Sequence, residues 1–456
     1  MSRESRPVDT ATTIYTPVLV VGAGPTGLGV AYKLADQVSI IDREERVGGL
    51  CRSFAIGKCI FDLGGHAFFT KHADVDRLLI QLAQGMFAQD RKAFVYAHQR
   101  FLPYPFQAHL FGLPAPVVIK CVLGAVNAYA AAQSCEQRSN ALDEWIVATF
   151  GRGIADEFML PYNRKLWAFP LSEIVTEWTG NRIVQPDIES IIVGALAPEV
   201  FDEFPNHRVR YPLNGGFEQI YAPFARLVGD PLLGDEVVHI DLSAHTAQTS
   251  RGRHIEYDTL VSTMPLDRLV ASSNPRPAWT DEAAARLHHN SLILVNLVTK
   301  ESTTEMQRIY VADPDVPFHK LVMNSNSSPF LQARGQFGLQ AEVSYSTNKT
   351  LQRADLVAQV EDAVRAMGIL RARDKILDSS VVDISYAYPV PMEGTAKSVK
   401  DLKEFFQRHS VYTIGRFGEW AYINSDEALK RGLDLGTQLA LRLDMPARPE
   451  SAGRPS

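Results

Sequence analysis

The run VLVVGAGPTGLG, from Val18 to Gly29, constrains this chain more than any other feature. Residues 17–21 are apolar and read as a buried strand, and an amphipathic pattern after them predicts a helix ending near Leu34. Between the two, Gly22, Gly24 and Gly27 stand in G-x-G-x-x-G register. The first glycine permits a tight turn, the second lets backbone approach a pyrophosphate, and the third allows close helix–strand packing with the helix N-terminus facing the phosphates. A second apolar run, residues 38–42, completes a β–α–β unit and ends in Asp42. A carboxylate about 20 residues after the first glycine can accept the ribose hydroxyls of a dinucleotide. Strand, turn, helix and acid are all in place, so dinucleotide binding is expected at the start of the chain.

Composition narrows the rest. With 456 residues, 46% hydrophobic and 21% charged, the chain is an ordinary folded one of about three domains. A net charge of −6 offers no basic field for a polyanion, so no nucleic-acid partner is expected, and phosphate recognition must be local. Cys51, Cys59, Cys121 and Cys135 form no C-x-x-C pair, and the histidines form no H-E-x-x-H, so no metal site is expected. Free thiols fit a reducing compartment, and the polar residues 1–16 lack the apolar core of a secretory signal, so a cytoplasmic location and a frayed N-terminal arm are expected. Residues 114–133 are rich in Ala and Val, but Lys120 and Asn127 interrupt them. A span needs about 20 apolar residues, so this stretch is expected to be a soluble helix rather than a membrane span. Nothing in the sequence specifies an oligomeric state.

The pattern along the chain predicts an α/β fold, α+β overall. A Rossmann-like domain is assembled discontinuously from residues 1–90, 206–268 and 386–445. A helical segment, 91–205, is inserted in it, and a second, mainly antiparallel sheet occupies 269–385. Residues 446–456 are expected to be a disordered tail. The segment VYTIGRFGEWAY followed by SDEALKRGLDLGTQLALRL reads as strand, glycine turn and helix, with Ser425 and Asp426 suited to cap that helix.

Further residues separate one dinucleotide from another. Arg46-Val47-Gly48-Gly49, with Arg52 and Ser53 after it, resembles the R-x-G-G-x-x-x-[ST] continuation of the FAD-dependent family that includes amine oxidases, phytoene desaturases and protoporphyrinogen oxidases. NAD dehydrogenases lack it, so FAD is the expected cofactor. GDEVVHI, carrying Val237, resembles that family's adenine-side strand. GRFGEWAYINSDEAL, carrying Gly415, Arg416, Ser425 and Asp426, resembles its late pyrophosphate and ribityl segment, although capping explains the last two equally well. The chain has no second dinucleotide fingerprint, so NAD(P)H enters only as a candidate reductant bound transiently in the substrate cleft.

Within that superfamily the chain resembles UDP-galactopyranose mutase, particularly its eukaryotic branch. The similar segments are FDLGGHAFFTKH with Gly64, Gly65 and His66, YPFQ at 104–107, FMLPYNRKLWAFP at 158–170, GNRI at 180–183 and YPVP at 388–391. The resemblance implies an isomerase in which reduced flavin N5 forms an adduct with the sugar of a nucleotide sugar, so that pyranose and furanose interconvert with no net redox change. It implies that Arg182 neutralises the diphosphate with Tyr310, Tyr388 and Tyr422, that Tyr104, Phe106 and Gln107 hold the base, and that Asn163 and Trp167 meet ribose and sugar. His66 is either a turn residue or a group that tunes the reduced ring. The mutases carry a second diphosphate-binding arginine, and here NLVTKESTTEMQRIY offers only Lys300 and Arg308, so that cation is Lys300 or is missing. Sugar and base stay open between UDP-galactose-like and dTDP-linked substrates. The alternative is an FAD-dependent oxidoreductase of the amine oxidase or desaturase type, whose apolar cage fits poorly with the polar Gln107, Asn163 and Arg182.

Overall fold

A computed structural model describes residues 13–133, 139–198, 207–302 and 304–444. The opening strand β1 (Thr13–Val21), helix α1 (Pro25–Leu34) and strand β2 (Val38–Asp42) form the expected β–α–β unit. Gly22 takes φ +107°, which a side chain resists, and a Cβ on Gly27 would lie 1.8 Å from the Gly22 carbonyl oxygen. These two positions let the strand turn sharply into the helix and the helix lie close against it.

β1 pairs in parallel with β2 on one side and with His254–Ser262 on the other. The sheet extends through Thr246–Thr249 and Val237–Asp241 at one end and Leu232–Leu233 at the other, and Val411–Thr413 pairs beside His254–Ser262. Segments distant in sequence therefore complete one sheet. α1 is buried along nearly its whole length because helix α6 (Ser425–Arg442) covers its outer face. A Cβ on Gly432 would lie 2.1 Å from the Thr26 carbonyl oxygen, so the two helix backbones touch.

The second sheet is seven-stranded among the described residues and mainly antiparallel. It contains β3 (Ala93–Ala97), β4 (Arg100–Pro103), β5 (His288–Thr299), β6 (Arg308–Val311), β7 (Lys320–Val322), β8 (Phe337–Tyr345) and β9 (Ile376–Val390). Two of these differ from the helical reading of 91–205: β3 pairs in parallel with β6, and β4 folds back on β3. Their hairpin turns through His98 and Gln99, both at positive φ. Such a turn usually carries Asn or Gly, so its signal is missing from the sequence. The second boundary also differs, because β9 runs through residues 385 and 386 without a break.

The helical layer follows, with α2 (Ala115–Ala132), α3 (Leu142–Ile154), α4 (Leu160–Trp167) and α5 (Ile188–Leu196). A π-turn at Ala155–Met159 joins α3 to α4 and lets the chain stay helical through Pro161. At 18 residues and mean hydropathy 1.5, α2 is long and apolar enough to cross a membrane, despite the interruptions noted in its sequence. In this fold it packs on α3, and Lys120 pairs with Glu157 at 2.7 Å and Asp156 at 3.5 Å. The N-terminal arm, Cys135 and the tail 446–456 lie outside the described residues.

Candidate active site

A continuous cleft of about 2090 Å³ runs from the glycine turn, past both sheets, to the helical layer. At its first end, α1 points its N-terminus at the opening, and the Gly49 Cβ position lies 3.1 Å from the Gly24 Cα. Side chains on these two glycines would fill the cradle. Asp42 accepts the Ala23 N–H at 2.6 Å and the Glu44 N–H at 2.8 Å. Burial raises its carboxyl above the ordinary value, against the lowering pull of those two N–H groups. Arg52 donates to the Gly49 carbonyl at 2.9 Å and to Glu44 at 2.8 Å, and Val237 also lines the cleft. Gly415, Ser425 and Asp426 border the same end. The N-cap of α6 is Asn424, not Ser425 or Asp426, which occupy the first turn, so the capping alternative does not hold. Gly27 and Gly48 do not face the cleft; they shape the turns behind it.

The middle of the cleft is built by the loop Gly64-Gly65-His66. Gly65 N–H donates to Glu342 at 2.7 Å, and Arg308 donates to the His66 carbonyl at 2.5 Å. The His66 ring stacks on Phe217 with centroids 4.7 Å apart. Burial, aided by Lys320 and Arg308, pushes the imidazole down to about 3, so it is neutral at ordinary pH, and its Nδ1 has no partner. Arg416 donates to the carbonyls of Ile423 at 2.6 Å and Ala387 at 3.1 Å, leaving its buried Nε unpartnered. Its guanidinium lies 5.0 Å from the Tyr388 ring and 5.2 Å from the Tyr422 ring.

The far end gathers aromatic and cationic groups. Tyr104 and Tyr310 pack with centroids 5.0 Å apart, and Arg91 lies over both rings and donates to the Tyr310 hydroxyl. Burial pushes the Tyr310 phenol up, but Arg91, Arg308 and Lys320 outweigh it and bring the phenol below its ordinary value. Arg182 donates to Asn424 Oδ1 at 2.7 Å and to the Tyr422 carbonyl at 2.6 Å. Gln107 donates to the Val184 carbonyl at 2.6 Å, and Asn163 donates to the Met159 carbonyl at 2.8 Å, which leaves each side-chain oxygen as the remaining acceptor. Burial raises Tyr388 well above its ordinary value.

Three of the residues expected at the substrate end stand elsewhere. Phe106 is fully buried and stacks on Phe158 behind the wall, and Trp167 is a buried support packed edge-on against Trp178, Tyr388 and Tyr422. Lys300 lies outside the cleft, in a separate depression with Lys92 and Glu305. The cations that face the cleft near Tyr310 are Arg91, Arg308 and Lys320. Of these, the sequence reading considered only Arg308. Lys320 and Glu342 were missed, although a charged residue inside the otherwise buried run FGLQAEVSY is itself a signal.

Comparison with known proteins bears on the fold. The description of an NAD(P)-binding Rossmann-like domain matches residues 20–82. A crystal structure of reduced UDP-galactopyranose mutase superposes with a TM-score of 0.88 at 27% identity, covering 94% of this chain and 96% of that one. The fold is that of a UDP-galactopyranose mutase-like flavoprotein. Putrescine oxidase bound to putrescine shares the fold more distantly, with a TM-score of 0.66, 15% identity, and coverage of 94% and 100%. Coproporphyrinogen III oxidase of Mycobacterium bovis is 24% identical over 188 residues, which are 39% of this chain and 36% of that protein. The chain thus matches about a third of that curated relative, in a flavoenzyme superfamily that holds both oxidases and mutase-like folds.

Proposed function

We propose that the protein is an FAD-dependent mutase that interconverts the pyranose and furanose forms of a nucleotide sugar, UDP-galactose-like or dTDP-linked. The observation that carries this reading is the continuity of one cleft, with a glycine cradle and Asp42 at one end and Arg182, Arg308, Lys320 and Tyr310 at the other. The first end fits the adenosine and pyrophosphate of FAD, because a Cβ on Gly24 or Gly49 would close it and Asp42 is placed for a ribose. Arg416 Nε and His66 Nδ1, buried and unpartnered in residues that line the cleft, would help to hold the flavin ring. Reduced flavin, when bound, supplies the nucleophile for the anomeric carbon.

The chain's own residues then have a limited task. Arg182 and the cations beside Tyr310 hold a diphosphate next to the sugar and stabilise the charge it gains as it leaves. Tyr388 and Tyr422 supply hydroxyl donors, and burial keeps the Tyr388 phenol protonated. Gln107 and Asn163 offer acceptor oxygens, to the base and to the ribose respectively. Tyr104 offers a flat face for the base. Neutral His66 lies between the two ends and adds no charge there. A nicotinamide reductant would enter through the same cleft. The location proposed is the cytoplasm, with α2 as a surface helix.

The competing reading is an oxidase, which the distant fold likeness to putrescine oxidase keeps in view. Arg91, Arg182, Arg308 and Lys320, at the far end of the cleft, are unsuited to a cationic amine substrate and suited to a diphosphate. The discriminating experiment incubates dithionite-reduced protein with UDP-galactofuranose and dTDP-sugars and separates the products. Interconversion supports the mutase; stoichiometric consumption of an electron acceptor with an amine supports the oxidase.

A further inference from the structure

Gln340, Glu342 and Ser344 share one buried face of β8, and Glu342 is the acid among them. Glu342 stands in β8, a strand buried along almost its whole length, and is itself 0% exposed. Its Oε1 accepts the Gly65 N–H at 2.7 Å, while Oε2 lies 2.7 Å from Lys320 Nζ and 3.5 Å from His319 Nε2. Lys320 faces Glu342 across β7 and β8, and faces Tyr310 across β6 and β7. One carboxylate therefore links the loop at the middle of the cleft to a cation at its far end.

A buried acid at this place has an electrostatic consequence. His319 is held neutral, pushed down to about 4 by burial, so Lys320 is the cation that pairs with Glu342 in this network. The negative charge of Glu342 acts on His66, Arg308, Tyr310 and Tyr388, which together span both halves of the cleft. Burial alone would raise the Glu342 carboxyl, but Lys320 and His319 outweigh it and hold the group well below the usual range. It is therefore a permanent negative charge among cations that otherwise await an anion. If Glu342 only fastened the loop, a neutral amide of the same shape would serve, because its oxygen can still accept the Gly65 N–H.

We infer that Glu342 is a positioning residue that fixes Lys320 and Gly65 and acts as a resident counter-charge, weakening the hold of the cleft on a diphosphate so that nucleotide can leave. The inference rests on the nucleotide-sugar reading of the cleft. It is tested by calorimetric titration of the FAD-loaded protein with UDP, using uridine as the uncharged control. Glu342→Gln is expected to bind UDP at least about tenfold more tightly, the order expected when one charge about 12 Å away is removed at an effective dielectric near 20. Uridine affinity stays unchanged, and KM and kcat fall together because release slows. Lys320→Met is expected to weaken UDP binding about tenfold, and adding Glu342→Gln to it recovers most of the loss.

Unchanged or weaker UDP binding by Glu342→Gln with full flavin content overturns the inference. Should that variant not accumulate as a flavoprotein, the uncharged double variant compared with Lys320→Met decides: recovery supports the counter-charge and no recovery overturns it. A wild-type flavoprotein that fails to bind UDP contradicts the mutase reading and this inference with it, whereas normal wild-type binding without the gain contradicts this inference alone.

Discussion

The Arg182 guanidinium lies 4.4 Å from the centre of the Tyr422 ring and donates to the carbonyl oxygen of the same residue at 2.6 Å. A second arginine, Arg416, lies 5.2 Å from that ring. Tyr422 thus spaces two cations, one contributed by the helical layer and the other by the segment leading into α6. Arg182→Ala removes the helical-layer cation and the contact that aims it. Its turnover is expected to fall by about 100-fold, the scale of losing one preorganised donor to developing charge. Lys300→Ala, in a depression of its own, is expected to stay within about twofold of wild type. Steady-state kinetics of the two variants side by side checks the pair.

Gly27 tests the cofactor end. A Cβ there would lie 1.8 Å from the Gly22 carbonyl oxygen and 3.2 Å from Val20 Cγ1, so α1 must move away from β1 in any variant with a side chain. Gly27→Val is expected to purify with less than about a tenth of the flavin of wild type, or to be insoluble, since overpacking of this kind costs about 1–3 kcal/mol. Flavin absorbance per mole of protein is the measurement.

Tyr310 tests the far end. With Arg91, Arg308 and Lys320 holding its phenol below the ordinary value of 10.0, one tyrosine should ionise ahead of the others. Alkaline titration followed by tyrosinate absorbance is expected to show this early step in wild type and to lack it in Tyr310→Phe.

Acid stability follows from His319, which is 1% exposed. Its value falls from 6.5 in the unfolded chain to about 4 in the fold, chiefly through burial and against the pull of Glu342. The unfolded chain then binds more protons between those two values, so the contribution is complete above pH 6.5 and is lost as pH falls through the window. About 2 kcal/mol of stability should disappear between pH 7 and pH 5 on this account alone. Urea unfolding at the two pH values, with His319→Gln as the variant that shrinks the difference by that amount, measures it.

Much of this architecture was legible in the sequence where local chemistry dictates it. The glycine turn, α1 and Asp42 are specified by short-range sterics, continuous apolar runs and a helical periodicity, so reading them required no tertiary information. The hairpin of β3 and β4 was not legible, because His98 and Gln99 adopt a positive φ that only the surrounding sheet enforces. The second cation was misplaced for a related reason. Lys300 and Lys320 look alike in sequence, and only the register that sets Lys320 opposite both Tyr310 and Glu342 brings one of them to the cleft. Trp167 and Phe106 sit in the expected segments yet face inward, since helix and turn geometry settle which side of a wall an aromatic ring takes.

The most direct test of the account is anaerobic incubation of the dithionite-reduced flavoprotein with UDP-galactofuranose, following both the sugar nucleotide and the flavin spectrum. Many turnovers to UDP-galactopyranose are expected, with the flavin still reduced at the end and no activity from the oxidised protein. Flavin reoxidised in proportion to product, or no interconversion of this or any dTDP-linked sugar by a flavin-loaded protein, would contradict it.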